Sequence, residues 1–124
     1  MLQKVISASD TGRPVNPQAV EGQIEGGAVM GLGYALSEEC KQEKGRLISD
    51  AYGKLGLRRI GQTPEIESII IENPHAEGPY GAKGMGELPL SAGAPAVVHA
   101  IHDALGVWIT SLPVTPEKIR NCLQ

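Results

Sequence analysis

The sequence predicts an α+β chain on three observations: an alternating run at residues 2–9, a proline-free helix signal over residues 18–37, and an Ile-rich run at residues 65–72. Strand and helix periodicities are mixed in one short chain, as an α+β arrangement requires. Residues 2–9 are rich in Val and Ile, and Asp10-Thr11-Gly12-Arg13-Pro14 then supplies turn chemistry. Asn16 is a good helix N-cap, and Pro17 suits the first helical position, where no amide hydrogen is needed. The helix that follows carries Gly22, Gly26, Gly27, Gly31 and Gly33. Each interior glycine costs about 1 kcal/mol relative to alanine, so backbone is expected to approach something closely there. Packing through Gly22-x-x-x-Gly26 is the commoner explanation.

After residue 37 a strand is expected to turn over at Gly45, and residues 48–62 carry little signal. Residues 65–72 form the best strand, bounded by Pro64 and by Asn73-Pro74. Residues 73–90 are dense in Gly and Pro and read as a loop. Ser91 is expected to cap a helix over residues 92–105 that Gly106 ends, and Thr115-Pro116-Glu117 opens a short last one.

The chain has 124 residues, with 11 Lys and Arg against 14 Asp and Glu, a net charge of −3. It reads as a single segment, 1–124, of one domain or less, without the positive field that nucleic acid attracts. No apolar run reaches the roughly 18–20 residues of a membrane span, and no leader pattern opens the chain, so a cytoplasmic location is expected. Cys40 and Cys122 show no metal-ligand spacing and read as reduced thiols. Glycine and proline together make 25 of 124 residues, while Phe is absent and aromatics are 3%. A bulky aromatic core is therefore not expected.

Gly78-Pro79-Tyr80-Gly81-Ala82-Lys83-Gly84-Met85-Gly86-Glu87 is the most informative stretch. It is not a phosphate loop, because Lys83 is followed by Gly84 rather than Ser or Thr, and its GxxGxG spacing reverses the dinucleotide fingerprint. What remains is one carboxylate, Glu87, between glycines and Leu88-Pro89-Leu90. Scarce water there would raise its pKa and make it a useful base. A surface turn with a solvated Glu87 is the plainer reading, as exposure is for Gln23 and Glu25. His99 and His102 lie three apart without a paired carboxylate and read as ordinary helix residues. His75 reads as an exposed loop residue, Lys83 as a solvated lysine, and Arg58-Arg59 is too short for a basic patch.

The blocks Asp10-Thr11-Gly12-Arg13-Pro14-Val15-Asn16-Pro17, Val20-Glu21-Gly22-Gln23-Ile24-Glu25-Gly26-Gly27, Gly31-Leu32-Gly33-Tyr34-Ala35-Leu36, the loop ending at Glu87, and Leu112-Pro113-Val114-Thr115-Pro116-Glu117-Lys118-Ile119 resemble the molybdenum hydroxylases. The resemblance is to the C-terminal part of their large, molybdopterin-binding subunit, as in xanthine dehydrogenases and aldehyde oxidoreductases. It implies a molybdenum–molybdopterin cofactor, the cytosine dinucleotide form being usual in bacteria. It further implies hydroxylation of an electron-poor carbon of an N-heterocycle or aldehyde with water as oxygen source. By the same resemblance Glu87 is the general base, while Gln23 with Gly84 and Gly86 faces the cofactor; no metal ligand is assigned. The partners implied are the remainder of the subunit and the domains or subunits that carry 2Fe-2S and FAD. The segment 57–66 departs from the family pattern, and a chain this short would be inactive alone. The alternative is a non-catalytic assembly module that keeps the fold without the cofactor.

Overall fold

The computed structural model describes residues 2–124. Strand β1 (Lys4–Asp10) leads to helix α1 (Pro17–Leu36), a small hairpin β2 (Gln42–Glu43) and β3 (Arg46–Leu47), then strand β4 (Glu65–Ile71). A one-turn helix α2 (Leu88–Ser91), helix α3 (Gly93–Leu105) and helix α4 (Pro116–Cys122) complete it. β1 and β4 pair in parallel, from Lys4 opposite Glu65 to Asp10 opposite Ile71. α1 crosses between them and packs against the pair, a connection that parallel strands require. The mixed α+β reading of the sequence holds.

Local chemistry explains each boundary. The Asn16 side chain accepts a hydrogen bond from the Ala19 amide at 3.1 Å, and Pro17 follows as the first helical residue. The β2–β3 hairpin turns through Lys44 and Gly45, both at positive φ, the geometry that matches strand twist in a two-residue loop. Gly106 closes α3 in the left-handed conformation, and the Thr115 hydroxyl caps α4 from the Lys118 amide. Ser91 does not cap α3. It is the last residue of α2, and its hydroxyl reaches back toward the Glu87 carbonyl at 3.4 Å. Pro89 pre-forms helical φ early, so the helix starts at Leu88 and the loop ends three residues sooner than expected.

The glycines of α1 divide by what surrounds them. A Cβ on Gly27 would stand 2.7 Å from the Pro89 Cβ, and one on Gly31 would stand 2.9 Å from the Leu90 carbonyl and 3.0 Å from the Gly93 Cα. α2 and the start of α3 therefore lie directly on the α1 backbone. A Cβ on Gly22 or Gly26 meets nothing within 4 Å. The expected close approach is real, but it runs through Gly27 and Gly31 rather than Gly22 and Gly26, because the apposed Pro89 and Gly93 lie along that stripe. Around this seam the core is small-residued: Ile24, Ala28, Leu32 and Ala35 of α1 with Val97, Ile109 and Val114. The Val114 amide donates to the Ala35 carbonyl at 2.7 Å, which docks the chain end onto α1.

A carboxylate joins the strand ends to the glycine-rich loop. One oxygen of Asp10 accepts from the amides of Gly12 at 3.0 Å and Asn73 at 3.4 Å, and the other takes the Lys83 ammonium at 2.6 Å. The Lys83 amide donates to the Thr11 carbonyl at 2.9 Å, and Gly12 bridges Ala82 in antiparallel fashion. Gly12 has φ of 59°, and a side chain there would run into the Gly81 carbonyl. Lys83 is thus not a solvated lysine: its partner is an anion within the chain. The Lys83 hydrogen bond, then the Gly12 amide, lowers the Asp10 pKa from 3.8 to about 2.

Two outcomes follow. Gly31→Val should lower stability by about 1–3 kcal/mol through overpacking, whereas Gly26→Ala should raise it by up to about 1 kcal/mol, both read from urea unfolding midpoints. A folded-state pKa below the unfolded value stabilises at higher pH, so the Asp10 contribution is present above 3.8 and is lost as pH falls toward about 2. Asp10→Asn should flatten the acid limb of the stability curve in that window; an unchanged limb would remove the clamp from the account.

Candidate functional site

The loop between β4 and α2 is fixed at its start and free at its middle. Residues 79–81 form a tight turn in which Tyr80 has φ of 55°. The Gly81 carbonyl accepts from both Arg13 and His75 amides at 3.0 Å, which pins the turn to the segment after β1. Beyond the Lys83–Asp10 pair the chain runs through Gly84, Met85 and Gly86. Gly84 and Gly86 are exposed, and a Cβ on either meets nothing within 4 Å. Neither packing nor a left-handed φ in this chain calls for glycine there.

Glu87 is the residue before α2, with φ −100° and ψ −16°, and its side chain makes no capping hydrogen bond. Its carboxylate is exposed and has no ion-pair partner among the described residues. Its base is firm, because buried Pro89 lies on Gly27 and the Leu90 carbonyl on Gly31. Gln23 stands one turn before Gly27 on the same face of α1. The seam therefore seats α2, which Glu87 heads, on the α1 backbone one turn beyond Gln23.

Gln23 is exposed and lines a cleft of about 240 Å³ with Arg13, Asn16, Lys83 and Met85. The cleft joins the segment after β1, the first turns of α1 and the glycine-rich loop. Gly22 and Gly26 open instead onto a different cleft of about 390 Å³, beside Thr63, Pro64 and Ile66. Gly22 and Gly26 thus do not border the cleft that Gln23 shares with the loop.

The water-poor surroundings expected for Glu87 are not built by these residues. Leu88 is 45% exposed and the flanking glycines are open, so no described residue covers the carboxylate. His99 and His102 serve packing: His102 stacks on Trp108 at 3.9 Å between ring centres, and His99 meets the same ring edge-on at 5.2 Å. His75 is exposed, as expected, and its ring nitrogen accepts the Glu77 amide. Both cysteines are free and exposed. Among the described residues, no helix is long and apolar enough to cross a membrane.

Sequence reasoning missed two residues. Asp10 organises the loop, and the signal was an Asp two residues before the Gly12 amide, the spacing of an Asx turn. Arg13 faces the Gln23 cleft and has no ion-pair partner among the described residues. A single arginine in a turn carries no pattern that would single it out.

Residues 1–64 match the family model described as a molybdopterin cofactor-binding domain. The large subunit of a nicotine 6-hydroxylase of Paenarthrobacter nicotinovorans is 38% identical over 122 residues, which cover 95% of this chain and 15% of that protein. The solved quinoline 2-oxidoreductase of Pseudomonas putida superposes with a TM-score of 0.86 at 33% identity, over 96% of this chain and 16% of that one. An aldehyde oxidoreductase of Desulfovibrio desulfuricans gives 0.88 at 36% identity, over 98% and 13%. The chain thus spans roughly a seventh of the relatives it matches. On the family match, the identity to these relatives and the shared fold, this chain belongs to the molybdopterin cofactor-binding family of the molybdenum hydroxylases and corresponds to a part of their large subunit.

Proposed function

We propose that this chain is one wall of the catalytic pocket of a molybdenum hydroxylase that oxidises an electron-poor carbon of an N-heterocycle or an aldehyde, with Glu87 as general base. The observation that carries the reading is the placement of Glu87: an unengaged carboxylate at the head of α2, which is seated on the α1 backbone one turn beyond Gln23, next to glycines that no described residue fills. The residues present fit a large, anionic, hydrogen-bonding group. The Gln23 amide and the Arg13 guanidinium border one cleft, and open backbone at Gly84 and Gly86 lets such a group lie close. Gln23, Gly84 and Gly86 would hold the molybdopterin, in its cytosine dinucleotide form, and Arg13 would meet its negative charge.

When bound, the molybdenum cofactor supplies the two-electron redox couple and activates water. This chain's contribution is to take a proton. The Glu87 carboxylate accepts it from the attacking oxygen, and the α1–α2 seam holds the carboxylate still while it does so. Walls around the carboxylate come from the remainder of the subunit, since these residues leave it exposed. On this reading the isolated chain is inactive. The complete enzyme works in the cytoplasm beside domains or subunits that carry 2Fe-2S and FAD for electron removal.

In the complete enzyme Glu87→Gln should cut turnover by about 10²–10⁴-fold with molybdenum content unchanged, the usual scale for a lost general base. Near wild-type turnover in a molybdenum-loaded Glu87→Gln enzyme would remove Glu87 from the reaction. Gln23→Ala should act on cofactor retention instead. Loss of one hydrogen bond to a charged group, about 1.5–3 kcal/mol, corresponds to roughly 10–100-fold weaker retention, read as molybdenum per protein after gel filtration.

A further inference from the structure

Four residues before Glu87 stands a lysine of opposite charge. Lys83 and Glu87 have the spacing at which such side chains meet across one turn of backbone. Little in the intervening chain opposes that turn. Gly84 and Gly86 are free of packing, and no backbone hydrogen bond among the described residues holds Gly84, Met85 or Gly86. The two charges are nonetheless kept apart. Glu87 has no ion-pair partner among the described residues, while the Lys83 ammonium lies 2.6 Å from Asp10. A carboxylate that serves as a base must keep its lone pairs for the incoming proton. An ammonium seated on Glu87 would occupy them.

Two features make Asp10 the stronger partner for Lys83. Its other oxygen is fixed by the Gly12 and Asn73 amides, so the carboxylate meets the ammonium already oriented. The pair is also sheltered, with side-chain exposures of 27% for Lys83 and 35% for Asp10, whereas Glu87 is exposed. Water competes for both members of an exposed pair, so Lys83 gains less from Glu87 than from Asp10. That preference lasts only while Asp10 is charged. The Lys83 amide donates to the Thr11 carbonyl at 2.9 Å. A released ammonium would therefore swing from a fixed backbone pivot four residues from Glu87.

We propose that Asp10 is a positioning residue for the base: by holding the Lys83 ammonium it keeps the lysine from pairing with Glu87 and leaves that carboxylate open to the proton. The inference rests on the reading of Glu87 as general base. It gives Asp10 a part in turnover distinct from fastening the loop. The loop needs a tie, whereas the base needs a cation kept away.

Asp10→Asn in the complete enzyme separates these two parts. The asparagine side-chain oxygen still accepts the Gly12 amide, but its NH2 group offers nothing to an ammonium. At unchanged molybdenum content, turnover should fall by about 5–100-fold, the range between an exposed ion pair and a sheltered charge-assisted hydrogen bond on Glu87. Adding Lys83→Met removes the intruding cation without restoring the tie. Turnover in the double variant should rise above that of Asp10→Asn, to the level of Lys83→Met alone. Equal turnover in all three variants would mean that only the tie matters and would overturn the proposal.

A water-soluble carbodiimide supplies a readout that needs no activity, since it condenses an ammonium and a carboxylate in contact into an amide with loss of water. Peptide mass mapping should find Lys83 joined to Asp10 in the unaltered enzyme and to Glu87 in Asp10→Asn. Absence of the Lys83–Glu87 amide from the variant would also overturn the proposal. That amide together with unchanged turnover would support the pairing and defeat the assignment of Glu87 as the base.

Discussion

The Asp10 carboxylate is the constraint on which the site's geometry depends. It closes the turn after β1 through the Gly12 amide, meets the end of β4 through the Asn73 amide, and holds the loop through Lys83. Residues 63 and 73 positions further along the chain thus converge with the turn after β1 on one partly buried ion pair. Exposed ion pairs contribute little, in the range of about 0–1 kcal/mol, because water competes for both partners. This one is reinforced with the Gly12 and Asn73 backbone amides, which hold the carboxylate in one orientation. The result is a loop whose first half is determined by strand ends and whose second half is free to face outward.

A second constraint acts from the other end of the loop. Gly27 and Gly31 let α2 lie on the α1 backbone, and Gly93 meets Gly31 with no side chain between them. Residues 84–87 are therefore strung between an ion pair and a glycine seam. Neither attachment involves Gln23 or Glu87 themselves. Both side chains are left unengaged by the fold, and so are available to whatever occupies the space beside them.

Much of this fold was legible because its punctuation is local. Asn16-Pro17, Pro64, Asn73-Pro74, Gly106 and Thr115-Pro116 act on their own backbone neighbours, and the elements they bound are where the sequence places them. What failed depends on partners distant in sequence. Ser91 has the chemistry of a cap, but Pro89 had already begun a helix. Lys83 looked solvated because its partner lies 73 positions away. The roles of the α1 glycines could not be sorted by sequence, since Gly22, Gly26, Gly27 and Gly31 differ only in what lies opposite. The candidate site shows the same division. Gln23 lines a cleft with the loop and Glu87 heads α2, while the water-poor pocket expected around Glu87 needs walls that these residues do not contain.

The parallel register of β1 and β4 has a consequence for synthesis. Lys4 pairs with Glu65, 61 positions later in the chain. At roughly 5–20 residues per second, β1 emerges from the ribosome about 3–12 s before its partner exists. During that wait the edge that β4 will take is bare, and a strand with a bare edge invites pairing with other nascent chains. Lys4 at one end and Asp10 at the other give β1 charged termini that discourage such pairing. Asp10, which later clamps the loop, thus guards the strand before there is a loop to clamp.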